Sequence, residues 1–403
     1  MQYDLIIVGG GAAGFFTAIN VAEKNPTLKI AILERGKDVL SKVKVSGGGR
    51  CNVTHAEFIP NELSKNYPRG EKELKGPFHT FMTGDTMEWF DQRGVELKIE
   101  DDGRIFPVSD SSQTIIDCFL TEVNRLRIEI LKSHVVKDFY FEDQLWKINT
   151  NQGDFISTKL MIATGSNPKI WKILQKIDHT AIAAVPSLFT FNIQDSRIKD
   201  LPGISTQASV KVKNSKLKSE GPVLITHWGL SGPAILKLSA WGAIELNKFD
   251  YHFEIIVNWL HNYTQQEILE ELKELKESNS KQQIAKYAQF DLPKRLWQAL
   301  VLVSGIQHTT RWADSNKIQL KKLSEQLTQC VFKVNGKSTF KEEFVTAGGI
   351  DLKEINFKTF ESKKHKNLYF AGEVLNIDAI TGGFNFQNAW TGAFIAAQAI
   401  TSN

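Results

Sequence analysis

The run Tyr3-Asp4-Leu5-Ile6-Ile7-Val8 passes directly into Gly9-Gly10-Gly11-Ala12-Ala13-Gly14, and an acidic residue, Glu34, closes the next apolar run. An unbroken apolar stretch of this length suits a strand buried on both faces, and the glycines behind it suit a tight corner into a helix. Gly9 permits the strand-to-helix turn, Gly11 lets backbone approach a pyrophosphate, and Gly14 lets the helix pack closely on the sheet. The helix that opens there presents unpaired N–H groups and the positive end of its dipole, a ready anion site. Glu34 follows Gly14 at the spacing of about 20 residues at which a carboxylate accepts hydrogen bonds from ribose hydroxyls and repels a 2′-phosphate. The opening therefore predicts an adenine dinucleotide site. It does not separate NAD from FAD.

At 403 residues the chain is long enough for two or three domains. It contains no run approaching the roughly 18 to 20 apolar residues of a membrane span, and it begins at once with a core strand, so a cytoplasmic protein with no membrane association is expected. Cys51, Cys118 and Cys330 lie far apart with no CxxC, which argues against a disulfide framework and a dithiol relay. No metal-ligand spacing stands out. A net charge of +4 permits a nucleic-acid partner without indicating one. The basic run Lys363-Lys364-His365-Lys366 reads as a solvated turn.

Along the chain the pattern predicts a strand at 3–8, a helix at 12–24 and a strand at 28–33, then mostly loop with short helices over 41–110. A helix at 111–126 leads to a strand at 127–132, and 135–141, 144–150 and 154–163 alternate like an antiparallel meander. The last of these stops at Ala163-Thr164-Gly165, where backbone can come close to something bound above the sheet. Residues 187–338 change character and read as a domain inserted into one formed by 1–186 and 339–403. The insert carries strands near 187–194, 207–213 and 222–226 and a helical part near 262–315. There Thr264-Gln265-Gln266-Glu267 has the form of a capping box, and Ile268, Leu269, Leu272 and Leu275 share a face.

The C-terminal region returns to the opening style. Asn367 to Ala371 reads as a buried strand ending in Gly372-Glu373, and Thr381-Gly382-Gly383-Phe384-Asn385-Phe386-Gln387 as a glycine turn entering a small-residue helix. A second helix N-terminus aimed at a ligand suits a flavin, because reduced isoalloxazine carries negative charge that backbone donors and a helix dipole stabilise.

Lys44-Val45-Ser46-Gly47-Gly48-Gly49-Arg50-Cys51-Asn52-Val53-Thr54, taken with both ends of the chain, resembles the bacterial FAD-binding flavoprotein family that includes aminoacetone oxidase and BaiN-type NAD(P)/FAD-dependent oxidoreductases. Thr226-His227-Trp228-Gly229-Leu230-Ser231-Gly232-Pro233 and Ala347-Gly348-Gly349-Ile350 match it too, so the resemblance covers essentially the whole chain. It implies an α/β, two-dinucleotide-binding-domain type flavoprotein fold, with a Rossmann-like FAD domain and an inserted β-barrel-like domain carrying a helical subdomain. It also implies that Gly9, Gly11, Ala12, Ala13 and Gly14 meet the pyrophosphate and that Glu34 and Arg35 meet the adenosine side. Ser46, Gly47, Gly48, Gly49, Arg50, Cys51 and Asn52 would run beside the ribityl chain and flavin. Ala163, Thr164 and Gly165 would line the cofactor, and Gly372, Glu373, Gly383, Phe384, Asn385, Phe386 and Gln387 would close on ribityl and ring. Asn376, Ala379 and Phe384 depart from the family's usual acid, glycine and tyrosine, which bears on substrate preference more than on FAD.

Three consecutive glycines let the main chain wrap a flat cofactor or form an anion-binding nest, and Arg50 is a candidate for neutralising phosphate or reduced flavin. Cys51 is expected to be a packed small residue. His227, before a turn rich in Gly, Ser and Pro, is the candidate titratable group of the insert. No Ser-His-Asp order or paired carboxylates stand out, which fits a protein whose cofactor carries the chemistry. The resulting expectation is an FAD-dependent oxidoreductase moving two electrons between a small organic substrate and flavin N5, with O2 or a transiently bound NAD(P)H as the other redox partner. The alternative is a tRNA-associated flavoprotein related to uridine-modifying enzymes.

Overall fold

Leu5, Ile6, Ile7 and Val8 are all buried in the computed structural model, which describes residues 1–338 and 345–402. They form the centre of strand β1 (Gln2–Val8), which has parallel neighbours on both sides, β2 (Ile30–Leu33) and the strand Gly153–Ile162. Glu129–Leu131 adds beyond β2 and Leu368–Phe370 beyond Gly153–Ile162, both parallel. Register positions the site. Val8 is level with Leu33 and Ile162, and Ile162 with Phe370, so Gly9, Glu34, Ala163 and Ala371 emerge along one edge of the sheet. That edge is the carboxyl end of the parallel strands, where open α/β sheets form their ligand crevices.

Helix α1 (Ala12–Lys24) packs on the C-terminal helix Phe384–Ser402 through small side chains. A Cβ built on Gly372 would lie 3.5 Å from the Cβ of Ala13 and 3.8 Å from that of Ala389. Behind this contact Phe16 lies 4.5 Å from Trp89 and 5.2 Å from Trp390, ring centre to ring centre. The expected meander is present as Val136–Glu142, Leu145–Thr150 and Gly153–Ile162, paired antiparallel in that order.

Two stretches differ from the sequence reading. Residues 41–110, read as mostly loop, hold a three-stranded sheet of Thr54–His55, Arg104–Pro107 and Leu97–Ile99, and the helices Glu71–Phe78 and Thr83–Asp91. These strands are too short for a period of two to register. The helical part near 262–315 extends to Thr328, because Asn316 and Gln319 form a second capping box that starts the helix Lys317–Thr328.

The chain divides into two compact units, one of Met1–Val185 with Val345–Asn403 and one of Pro186–Phe344. The return to the first domain expected at 339 falls on 339–344, outside the described residues. The second unit has its own apolar core and a seven-stranded sheet in which Ser205–Val212 pairs antiparallel with both Lys218–Ile225 and His252–Asn258. Thr264 and Glu267 make the predicted capping box for the helix Gln265–Ser278. Among the described residues no helix is long and apolar enough to cross a membrane, and no group of His, Cys, Asp and Glu could hold a metal ion.

Candidate functional site

The turn from β1 into α1 leaves no room for side chains at two of its glycines. Gly9 has φ 114°, and a Cβ there would lie 2.4 Å from the Ala163 carbonyl oxygen; one on Gly14 would lie 2.0 Å from the Gly9 carbonyl oxygen. Gly11 is different, since a Cβ there would meet nothing within 4 Å. It is the N-cap of α1, with no side-chain cap and no acidic residue in the first turn. The first intrahelical bond runs from Phe15 N–H to the Gly11 carbonyl at 3.1 Å, so the N–H groups of Ala12, Ala13 and Gly14 have no acceptor within the helix. The result is an anion cradle that the chain does not fill with a carboxylate of its own.

Glu34 braces this cradle. Its Oε2 accepts from Gly10 N–H at 2.9 Å and its Oε1 from Gly36 N–H at 2.7 Å. Each carboxylate oxygen keeps a lone pair for a further donor such as a ribose hydroxyl. A cavity of about 210 Å³ opens beside it, lined by Gly9, Glu34, Arg35 and Thr164 and also by His134, Asn167 and Lys169. The last three escape sequence reasoning because they come from two separate loops with no motif of their own.

Helix α2 (Ser41–Gly49) breaks at Ser46, where ψ is 149°, and Gly47, Gly48 and Gly49 follow with φ of 57°, 68° and 85°. Three successive left-handed residues point consecutive N–H groups into one concavity, the geometry of a nest. A Cβ on Gly47 would lie 2.8 Å from the Phe106 ring, while those on Gly48 and Gly49 would meet nothing within 4 Å. Ser46 Oγ turns inward and donates to the Val43 carbonyl at 3.0 Å. Asn52 is buried, its amide oriented so that Nδ2 donates to the Thr54 and Ile105 carbonyls and Oδ1 accepts from Gly383 N–H at 3.0 Å. This one side chain joins the glycine loop to the C-terminal turn.

That turn is held mainly by its own side chains. Gln387 Oε1 accepts from Thr54 Oγ1 at 2.6 Å and Thr86 Oγ1 at 3.0 Å, and its Nε2 donates to Thr391 Oγ1 at 3.1 Å. The Asn385 side chain accepts from Ala379 N–H at 3.0 Å. Phe384 is buried against His55, and Phe386 stacks on Trp390 with centroids 5.5 Å apart. Glu373, at the end of the last parallel strand, accepts from Lys42 Nζ, and a Cβ on Gly165 would lie 3.6 Å from Glu373 Oε2 and 3.9 Å from Lys42 Nζ. Ala163 to Gly165, Gly372-Glu373 and the start of α2 are thus brought together.

The reactive candidates are quieter than their chemistry suggests. Arg50 donates to Glu100 at 2.6 Å and reaches Asp110 at 3.4 Å, and its guanidinium lies 3.9 Å from the centre of the Phe106 ring. Its charge is met by two carboxylates the sequence did not connect to it. Burial pushes the Cys51 thiol up to about 12, with Cys118 at about 12 and Cys330 at about 11, so none is a thiolate at neutral pH. His227 lies in the second unit on the exposed turn between Lys218–Ile225 and Gly229–Ser231.

Although no triad stands out in the sequence, the fold assembles one from three segments. Ser362 Oγ lies 3.0 Å from His179 Nε2, and His179 Nδ1 lies 2.8 Å from Glu354 Oε2. Ser362 is only 7% exposed, and its Oγ already accepts from the Lys364 and His365 N–H groups, so it has neither approach nor spare capacity as a nucleophile. It is a clamp on the sheet edge. Desolvation holds the His179 pKa below its ordinary 6.5 despite Glu354. Burial alone would raise Glu354, but hydrogen bonds from Lys364, Thr180 and His179 outweigh it and bring the carboxyl to about 2. Both depressed values give the same sign: the clamp's contribution is full above pH 6.5, falls as the unfolded histidine takes up its proton, and falls further below 4.5. Melting temperature should therefore drop between pH 7 and pH 5 in the parent by more than in His179→Asn. Parallel pH profiles would exclude the clamp as the cause.

An anion cradle, a ribose-binding acid and a glycine nest along one sheet edge describe a dinucleotide flavoprotein, and comparison with known proteins agrees. Ribosomal RNA dihydrouridine synthase of Haemophilus influenzae is 29% identical over 416 residues, covering 99% of both chains. The 3-dehydro-bile acid delta(4,6)-reductase of Clostridium scindens is 23% identical over 98% of both. In fold the chain is similar to the 3-ketosteroid-delta4-(5alpha)-dehydrogenase of Rhodococcus jostii, with a TM-score of 0.52 at 10% identity over 100% of this chain and 97% of that one. The description "HI0933-like protein Rossmann domain" matches residues 3–399, and the chain belongs to that family of FAD-binding, flavin-dependent oxidoreductases.

Proposed function

We propose that the protein is a reductase that adds a hydride and a proton across a C=C bond conjugated with a carbonyl, drawing its electrons from NAD(P)H, and that its substrate is a pyrimidine base in RNA. What carries the reading is the pair of names borne by relatives that span the whole chain. Dihydrouridine is uridine with one ring C=C bond saturated, and a delta(4,6)-reductase of a 3-oxo steroid saturates C=C bonds of an enone. The substrates share little except that bond. The small organic substrate expected from the sequence thus gives way to a base within a polymer.

Two observations on this chain support it. The thiols carry no thiolate and Ser362 is closed off, so no protein nucleophile competes with cofactor chemistry. The cradle suits FAD, with Gly9, Gly11, Ala12, Ala13 and Gly14 at its diphosphate and Glu34 and Arg35 at its adenosine. Ser46 to Asn52, Ala163 to Gly165, Gly372-Glu373 and Gly383 to Gln387 then surround the ribityl chain and ring. FAD supplies two-electron transfer there. Arg50, tied to Glu100, Asp110 and Phe106, holds the glycine nest in shape, and His227 remains the candidate proton donor from the second unit.

Anaerobic mixing with NADH or NADPH should bleach the flavin band, and a uridine-containing ribosomal RNA fragment should restore it. A small enone restoring it in place of RNA would redirect the substrate. Failure of both nicotinamides to bleach it, with rapid turnover on O2, would replace the reductase by an oxidase.

A further inference from the structure

The hairpin joining Ser205–Val212 to Lys218–Ile225 carries Lys211, Lys213, Lys216 and Lys218, all exposed. Lys211 and Lys218 are directly opposite in the antiparallel register, a like-charge pair that disfavours the sheet. Lysines often guard sheet edges against unwanted pairing, but Lys211 sits on a strand paired on both sides, so edge protection does not account for it. Glu254 neutralises Lys213 at 2.7 Å and itself faces Lys333 across the next strand pair; Glu220, further along the same face, is 3.7 Å from His261. Among the described residues Lys211, Lys216 and Lys218 have no ion pair. The turn is also ordered: Asn214 takes φ 62°, and Ser215 Oγ accepts from Leu217 N–H at 3.0 Å.

An exposed aromatic adjoins the lysines. Ser215 Oγ donates to Glu245 at 2.6 Å, and a Cβ on Gly242 would lie 2.7 Å from Leu217 Cδ1, so the corner after the helix Pro233–Trp241 packs on the hairpin turn. At this corner Trp241 is 41% exposed. Lysines tracking phosphates beside an indole on which a base can stack are the two components of single-strand binding.

We propose that this hairpin and Trp241 form a docking surface for single-stranded RNA. The inference rests on the reading that the substrate base is part of an RNA, and it places recognition of the strand on a surface of the second unit that carries no redox chemistry.

The test is fluorescence anisotropy of the FAD-loaded protein with a labelled, uridine-rich RNA of about 15 nucleotides, titrated across KCl concentrations. Removing three phosphate contacts in Lys211→Ala/Lys216→Ala/Lys218→Ala should lower the slope of log affinity against log salt by about 2. Trp241→Ala should weaken binding about tenfold. Flavin content and melting temperature should match the parent. Unchanged affinity and slope in the triple variant, with the parent binding RNA, would remove the hairpin and leave the RNA reading intact. A parent that binds no RNA at low salt would remove both. Lysine-dependent binding to phosphatidylserine vesicles that RNA does not compete would make the surface a membrane contact and overturn the proposal.

Discussion

Gly11→Ala should give a folded protein that purifies almost colourless, whereas Gly14→Ala should give little folded protein. The two differ because of what surrounds each position. A methyl on Gly14 would lie 2.0 Å from the Gly9 carbonyl oxygen, and relief requires α1 to move off the end of β1, where Gly9 is itself pinned against Ala163. Overpacking of this kind costs about 3 kcal/mol or more. A methyl on Gly11 meets nothing within 4 Å in the protein. Its cost to the fold is that of replacing an N-cap glycine, below about 1 kcal/mol. It stands instead where a diphosphate must approach the N–H groups of Ala12 to Gly14. Loss of two charge-assisted hydrogen bonds corresponds to about a hundredfold or more in affinity. Flavin absorbance per protein and melting of the stripped apoprotein separate the two cases. A yellow Gly11→Ala protein with parental affinity would move the diphosphate away from α1.

Those glycines are also the part of the site most legible in the sequence, because the relation between Gly9, Gly14 and the end of β1 is enforced within a dozen residues by local sterics. Glu34 was legible as an acid at the right place but not as a brace, since its bonds to Gly10 and Gly36 depend on how two turns meet. Arg50 shows where such reading ends. An arginine after three glycines suggests an anion, yet its partners Glu100 and Asp110 arrive on the short three-stranded sheet that the pattern did not reveal. The clamp of Ser362, His179 and Glu354 was invisible for the same reason, because three segments meet only once the sheet edge forms. The helix Lys317–Thr328 was missed for a different reason. Asn316-Lys317-Ile318-Gln319 carries the capping-box signal, with Asn in place of the usual Ser or Thr.

Arg69→Met should destabilise the protein by about 3–5 kcal/mol and weaken FAD retention with it. Asp378 has no exposure to solvent, and Arg69, itself 11% exposed in its side chain, grips both its oxygens through Nε and Nη2. The two residues are bridged through their backbones as well. Taking the arginine away leaves a carboxylate in the interior without its bidentate partner, which costs more than the pair itself contributes. Removing both charges is milder, so Arg69→Met/Asp378→Asn should recover part of the loss in urea unfolding. The cofactor effect follows from the chain: Asp378 precedes Ala379, which the Asn385 amide holds, and then Gly382-Gly383, whose N–H groups meet Asn52 and open the C-terminal helix. A loosened Asp378 therefore frees the turn that closes on the glycine nest. A loss under about 1 kcal/mol in Arg69→Met would show that solvent or another group already compensates Asp378, and the turn would then owe its shape to Asn385 and Gln387 alone.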